Sequence, residues 1–199
     1  ACTPFDWHKD AIKIAKKYKK KIFSSPFSIR AVDLLEKFNC SMYKIASFEL
    51  TDLPLIKLVA QTKKPVIMST GMASEKEIEE AVKTARENGS ESILLFHCVS
   101  SYPATTEQSN LKYIKHLKSK YQLEVGLSDH TISNSASISA IALGASAIEK
   151  HFTIDKKTGV DREFSLDIDE FRLLVKSTNS SWQSLGNGKN ERSNLEMQN

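Results

Sequence analysis

Two histidines stand at the ends of short aliphatic runs, Val125-Gly-Leu-Ser-Asp-His130-Thr and Ala147-Ile-Glu-Lys-His151-Phe-Thr. The Ala/Ser/Ile/Leu-rich segment between them, Ser133 to Leu143, reads as a helix, so the stretch is one β-α-β unit with a histidine at each strand tip. Strands joined by such a crossover are parallel and, when adjacent, lie about 4.8 Å apart, which brings both tips to one edge of the sheet. Two imidazoles there can share a divalent metal. Each tip also carries an acid, Asp129 or Glu149, able to orient its imidazole from behind. A single histidine at a strand end is more often only hydrogen-bonded, and spacing alone leaves a metal site and two structural histidines both open.

Other residues with chemistry fall at similar places. Lys44 lies inside the apolar run Tyr-Lys-Ile-Ala-Ser, where a buried ammonium calls for a fixed anion, unless the side chain reaches out to solvent. Ser25, Ser47, Ser69, Ser100 and Ser128 follow or end such runs and together suggest an oxyanion site, although each alone suits a turn or a helix cap. Ser69-Thr-Gly-Met leads into a helix start, which favours anions. Glu49 is placed for general acid/base work, or as an acid at the start of the next helix. The chain has no G-x-S-x-G, Walker loop, G-x-G-x-x-G or H-E-x-x-H, so serine-esterase, nucleotide-hydrolysing and zincin chemistry lack support.

The elements that must position these residues alternate along the chain. Strands are expected at Lys21 to Ser25, Met42 to Ser47, Pro65 to Ser69, Ser92 to His97, Leu123 to Leu127 and Ser146 to Phe152, with amphipathic helices between them. The clearest helix is Ser74 to Asn88: Ser74 and Glu77 form a capping box, Ile78, Ala81, Val82 and Ala85 make the buried stripe, Glu79 and Lys83 pair at i,i+4, and Gly89 stops it. Repeated β-α units give a parallel sheet. Because every strand, not only those at a switch point, ends in polar or reactive residues, the expected α/β fold is a (β/α)8 TIM barrel, present as about six units with two strands unaccounted for. A polar loop from Asp155 to Ser165 precedes a last helix from Asp167 to about Ser181, with Phe171, Leu174 and Val175 inward. Residues 1–185 are thus expected to form the partial barrel and 186–199 a linker or tail, beyond which a further domain is anticipated.

With 199 residues, 40% apolar and 26% charged, the chain can bury a core. The net charge of +4 is concentrated in Lys16 to Lys21, which closes a helix with Ala11, Ile14, Ala15 and Tyr18 on one side. Cations suit a helix C-terminus, and no nucleic-acid partner is expected. Cys2, Cys40 and Cys98 have no paired spacing, as in a reducing cytoplasm. No apolar run is long enough for a membrane helix, so no membrane partner is expected. The opening Ala-Cys-Thr-Pro, without Met, anticipates a segment upstream.

Six motifs, in order over nearly the whole chain, resemble the phosphoenolpyruvate-dependent sialic acid synthase family that makes nonulosonic acids. They are Phe23-Ser-Ser-Pro-Phe27, Tyr43-Lys-Ile-Ala-Ser-Phe-Glu49, Ser69-Thr-Gly-Met72, His97-Cys98 through Tyr102-Pro103, Gly126-Leu-Ser-Asp-His-Thr131 and Glu149-Lys-His-Phe-Thr153. The opening, Ala1 to His8, and the closing Phe164-Ser-Leu-Asp167 to Phe171 look most like the pseudaminic acid synthase branch.

The resemblance implies that His130 and His151 hold Mn²⁺ or Mg²⁺, which polarises the aldehyde of an open-chain amino sugar. It also implies that residues matching Lys44, Ser47, Ser69, Ser100 and Ser128 hold the phosphate of phosphoenolpyruvate. Glu49 would then manage water or protons, and Tyr102 and Asp161 would contact the sugar. The implied reaction condenses phosphoenolpyruvate with 2,4-diacetamido-2,4,6-trideoxy-altrose to give pseudaminic acid and phosphate. The alternatives are N-acetylneuraminate or legionaminate synthesis, or a non-catalytic metal or sugar-phosphate binding module. The family's first two strands and its C-terminal antifreeze-like domain, which serves a homodimer, have no counterpart here, so the chain alone is expected to be weakly active or inactive.

Overall fold

The computed structural model describes residues 3–190, 192 and 196–198; Ala1, Cys2 and the rest of the expected tail lie outside them. Five strands form one sheet, each pairing in parallel with the next in the chain: β1 (Tyr43–Ile45), β2 (Val66–Ser69), β3 (Ile93–Cys98), β4 (Glu124–Asp129) and β5 (Ile148–Lys150). The helices are α1 (Trp7–Lys17), α2 (Ile29–Lys37), α3 (Leu53–Gln61), α4 (Glu75–Glu87), α5 (Tyr113–Tyr121), α6 (Ser135–Ala142) and α7 (Ile168–Ser184). Sequential parallel order with intervening helices is the topology of an incomplete (β/α)8 barrel.

Strand alternation sorts the side chains into two layers. Tyr43, Ile45, Val66, Met68, Ile93, Leu95, Val125 and Leu127 join Leu35, Ile56, Val59, Ile78, Val82, Ile114, Leu117 and Ala140 of the helices in one buried core. The alternate residues therefore face the concave side. There Phe96 lies across Gly126, where an added Cβ would sit 2.4 Å from the ring, so only glycine fits under it.

α4 forms as expected: Ser74 caps it, Glu77 completes the box, its four stripe residues are buried, and Gly89 closes it with φ of 103°. The expected Glu79 pairing does not form, because Lys83 turns the other way along the helix to Glu87 at 3.8 Å.

Two further expectations are corrected at the ends of the sheet. The strand anticipated at Lys21 to Ser25 is a single bridge, Ser24 to Tyr43, with Ser24 O accepting from Lys44 N at 3.2 Å. The helix that would cover it, α1, buries no residue. Ala11, Ile12 and Ala15 are its half-buried side, while Ile14 and Tyr18 are 57% and 65% exposed. At the other end α7 starts from a capping box made by Asp167 and Glu170, but of its expected inner face only Leu174 is buried. Phe171 and Val175 instead line a groove of about 490 Å³ beside β5 with Ile141, Ile148 and Trp182. Among the described residues no helix is long and apolar enough to cross a membrane.

Candidate active site

The strand tips of the concave side gather nearly all the residues singled out by sequence. His130 follows β4 and His151 follows β5, one residue beyond the last register pair, Asp129 to Lys150. Their rings lie 5.3 Å apart at 70°. His130 is buried, and its Nδ1 lies 2.8 Å from the carbonyl oxygen of Val99, so Nδ1 carries the proton and donates. That leaves Nε2 unprotonated, its lone pair accepting a long 3.4 Å bond from Ser128 Oγ. Burial pushes the His130 pKa below its ordinary value and His151 adds to this, while the Val99 bond opposes it, so the ring is neutral and able to ligate. His151 Nδ1 lies 3.2 Å from Asp161 Oδ2.

Two aromatic rings wall the pair. Tyr102 sits 4.4 Å from His130 and 6.1 Å from His151, and Phe164 sits 4.9 Å from His151 and 5.4 Å from Tyr102. Burial also raises the Tyr102 pKa, with Cys98 nearby adding to it, so its hydroxyl stays protonated.

Lys44 crosses the concave side from β1 to β5 and donates to Glu149 Oε1 in a very short ion pair. The fixed anion that its burial called for is thus a carboxylate of the protein. Glu149 consequently does not serve His151, as sequence spacing had suggested; its second oxygen, Oε2, is buried without a hydrogen-bond partner. Asp129 does not serve His130 either. Next-door residues on a strand point to opposite faces, and Asp129 faces the helices, bonding Thr131, Ser137 and Lys150.

The serines fall into two sets. Ser47, Ser69, Ser100 and Ser128 stand at the tips of, or just after, β1 to β4. An added Cβ on Gly71 would meet Ser100 Oγ at 2.2 Å, Cys98 Sγ at 2.7 Å and Ser47 Oγ at 2.8 Å, so three side chains converge on a backbone that must be glycine. Gly71 N donates to Ser47 Oγ at 3.2 Å, and Ser69 Oγ is buried without a partner. Ser25 belongs elsewhere, in a cleft of about 240 Å³ with Phe5, His8, Ser28 and Ala31. Glu49 ends a short 3-10 turn after β1, Ser47–Glu49; burial raises its pKa, Asp52 adds to the rise, and its Oε2 is unpaired. His97 points outward and bonds the Ser109 carbonyl at 2.8 Å, a structural role.

Among the described residues no three His, Cys, Asp or Glu side chains converge as a ligand set. A divalent cation between the two rings would rest on the unprotonated His130 Nε2, displacing its long bond from Ser128 Oγ, and on His151, which leaves positions for substrate oxygens. The unpaired Glu149 Oε2 suits the same hard-cation chemistry. These residues fit such an ion. Phe164, Cys98, Gly71 and Lys150 all fall inside quoted stretches, but sequence reasoning gave none of them a role in the site; Gly71 carried a physical signal, since a glycine at a strand tip marks close backbone approach.

A sequence profile described as the NeuB family matches residues 1–190. Pseudaminic acid synthase of Helicobacter pylori is 44% identical over 187 residues, covering 94% of this chain and 55% of the relative. N,N'-diacetyllegionaminic acid synthase of Campylobacter jejuni is 41% identical over 195 residues, covering 96% and 58%. The crystal structure of N-acetylneuraminic acid (sialic acid) synthetase from Leptospira borgpetersenii in complex with citrate superposes with a TM-score of 0.88 at 35% identity, covering 96% of this chain and 68% of that one. The chain spans about half the length of the curated relatives it matches. Motif order, strand topology and these likenesses agree: the chain belongs to the NeuB family.

Proposed function

We propose that this chain carries the catalytic strand tips of a nonulosonic acid synthase that condenses phosphoenolpyruvate and water with an open-chain amino sugar, releasing phosphate. The observation that carries this reading is the facing His130 and His151, one with an unprotonated Nε2, set across the concave side from Lys44 and the Ser47, Ser100 and Gly71 cradle. Lys44 and the serine hydroxyls bind and orient the phosphate of the substrate. Carbon 3 of phosphoenolpyruvate attacks the aldehyde carbon, water adds at carbon 2, and the tetrahedral adduct loses inorganic phosphate to leave a 2-keto acid. Glu49, its carboxyl pushed above the ordinary carboxylate range by burial, is suited to pass a proton to or from that water. Tyr102, Phe164 and Asp161 bound the acceptor side and keep bulk water from the rings. A cation of the Mn²⁺ or Mg²⁺ class held by His130 and His151 would supply Lewis-acid polarisation of the acceptor carbonyl.

The preferred acceptor is 2,4-diacetamido-2,4,6-trideoxy-altrose, which makes the product pseudaminic acid. A legionaminate acceptor is the second reading, favoured by the narrow gap between 44% and 41% identity. A homodimer in the cytoplasm belongs to the same proposal. The test is phosphate release from phosphoenolpyruvate with Mn²⁺, by a protein extended to the length of its relatives, with the altrose derivative beside N-acetylmannosamine. Release only with the first sugar supports pseudaminate synthesis, and release only with the second assigns sialic acid. Binding of either sugar without phosphate release would replace catalysis by a binding module.

A further inference from the structure

Directly behind the histidine pair, on the helix side of the sheet, lies an ion pair that the proposed chemistry does not use. Lys150 and Asp129 are the last register pair of β5 and β4, and each immediately precedes one of the two histidines in the chain. Their side chains are 0% and 1% exposed, with Lys150 Nζ 2.9 Å from Asp129 Oδ2. The remaining donors of Lys150 go to backbone: a very short bond to Thr131 O and a 3.4 Å contact to Ser133 O. Asp129 is equally committed. Its Oδ1 accepts from Thr131 N and Thr131 Oγ1, both at 2.8 Å, and its Oδ2 accepts from Ser137 Oγ at 2.6 Å.

Burying two charges costs several kcal/mol per ion, and an apolar pair of similar volume is often as stable, so stability alone does not explain this pair. The bonding pattern does. Residues Thr131 and Ser133 belong to an irregular turn; the Ser133 carbonyl accepts from Thr131 Oγ1 at 2.9 Å, and an ammonium with three donors reaches both carbonyls while anchored on Asp129. The turn begins at the residue after His130, and the anchor ends at the residue before His151. The His130 backbone is otherwise tied away from β5, its carbonyl accepting from Ala104 N at 3.0 Å and its ring from below by Val99. His151 is tied to the following loop, its carbonyl accepting from Leu166 N at 2.8 Å.

We infer that Lys150 is a positioning residue: its clamp on Asp129, Thr131 and Ser133 sets the separation and aim of the two imidazoles. This rests on the reading of His130 and His151 as metal ligands. Removing an outer support of this kind costs roughly 10- to 100-fold in metal affinity.

The test compares Lys150→Met, the double variant Asp129→Asn with Lys150→Met, and Lys150→Arg. Three quantities are read: urea stability, Mn²⁺ affinity from the free-ion paramagnetic resonance signal, and the slowly exchanging Nδ1–H proton of His130 by NMR in metal-free protein. The single Met variant is expected to lose stability and Mn²⁺ affinity together. The double variant, with neither charge left buried, regains stability while its affinity stays about 10- to 100-fold low and the Nδ1–H signal stays broadened. Wild-type affinity and a sharp Nδ1–H signal in the double variant would reduce Lys150 to a structural residue. Should Lys150→Met not fold, Lys150→Arg keeps the charge but splays its donors in a planar fork; it is expected to fold with weakened Mn²⁺ binding, and unchanged binding overturns the inference. His130→Ala separates the two failures. If wild type binds Mn²⁺ no better than His130→Ala, the metal reading falls, and the Nδ1–H signal alone then decides whether Lys150 positions the ring.

Discussion

The two ends of the sheet are built differently. At the β4–β5 end, a buried ion pair, Lys150 with Asp129, bonds Thr131 and Ser137 and stands next to both histidines in the chain. At the β1 end, the preceding segment joins the sheet through one bridge at Ser24, and α1 buries nothing. The ionic tie there is Glu36, which accepts from Tyr43 Oη and, at 2.6 Å, from Lys64 Nζ. The contrast teaches that in this fold rigidity is concentrated where reactive groups must be aimed, while the far end is attached by a few replaceable contacts.

Five substitutions break or sharpen that contrast. The largest effect belongs to His151→Ala: phosphate release by the extended protein should fall on the order of 10³-fold, because polarisation of the acceptor is worth several kcal/mol. A loss below tenfold would move the chemistry off the β4–β5 end. Next, Leu95→Ala, in the core between the two ends, should cost about 2–5 kcal/mol in urea unfolding, the usual price of a buried cavity. Ser74→Ala removes the cap of α4 and should cost about 1 kcal/mol by the same measurement.

The smallest effects belong to the β1 end. Burial raises the Glu36 pKa, but the bonds from Lys64 and Tyr43 outweigh it and hold the carboxyl below its ordinary range. A depressed folded pKa contributes stability that is present above the unfolded value of roughly 4.3 and is lost as pH falls through the lower folded value. The stability gap between wild type and Glu36→Gln should therefore shrink in urea melts as pH is lowered from 5 towards 3, and a gap that widens would refute the tie. Ile14→Ala, on the exposed side of α1, should change stability by less than about 0.5 kcal/mol. A cost above 1 kcal/mol would show that α1 is packed after all and remove the contrast.

Much of this was legible in the chain. Short apolar runs alternating with helices, the Ser74 capping box and polar residues at every tip led to the incomplete parallel barrel and to His130, His151, Lys44 and four of the five serines at one edge. What escaped depends on register and on distant partners. Lys44 and Glu149 are 105 residues apart, and nothing local says that one answers the other. Lys150 gains its partner only once the register sets it opposite Asp129. Of the acids near the histidines, Asp129 misled because adjacency along a strand means opposite faces, and Glu149, on the same face as His151, because Lys44 binds it from across the sheet. The segment at Lys21 to Ser25 has the composition of a strand, but composition does not supply the neighbour that a strand pairs with.

The alternation at the tips of β4 and β5 also limits how related chains can differ in length. Ser128, His130, Glu149 and His151 face one way, and Asp129 and Lys150 the other. Inserting or deleting one residue within Ser128–His130 or Glu149–His151 would turn the ion pair into the concave side and the imidazoles into the helices, erasing the site and its support in one event. Loops such as residues 153–165 carry no such parity. Family members should therefore vary in length there and keep the two tripeptides free of gaps.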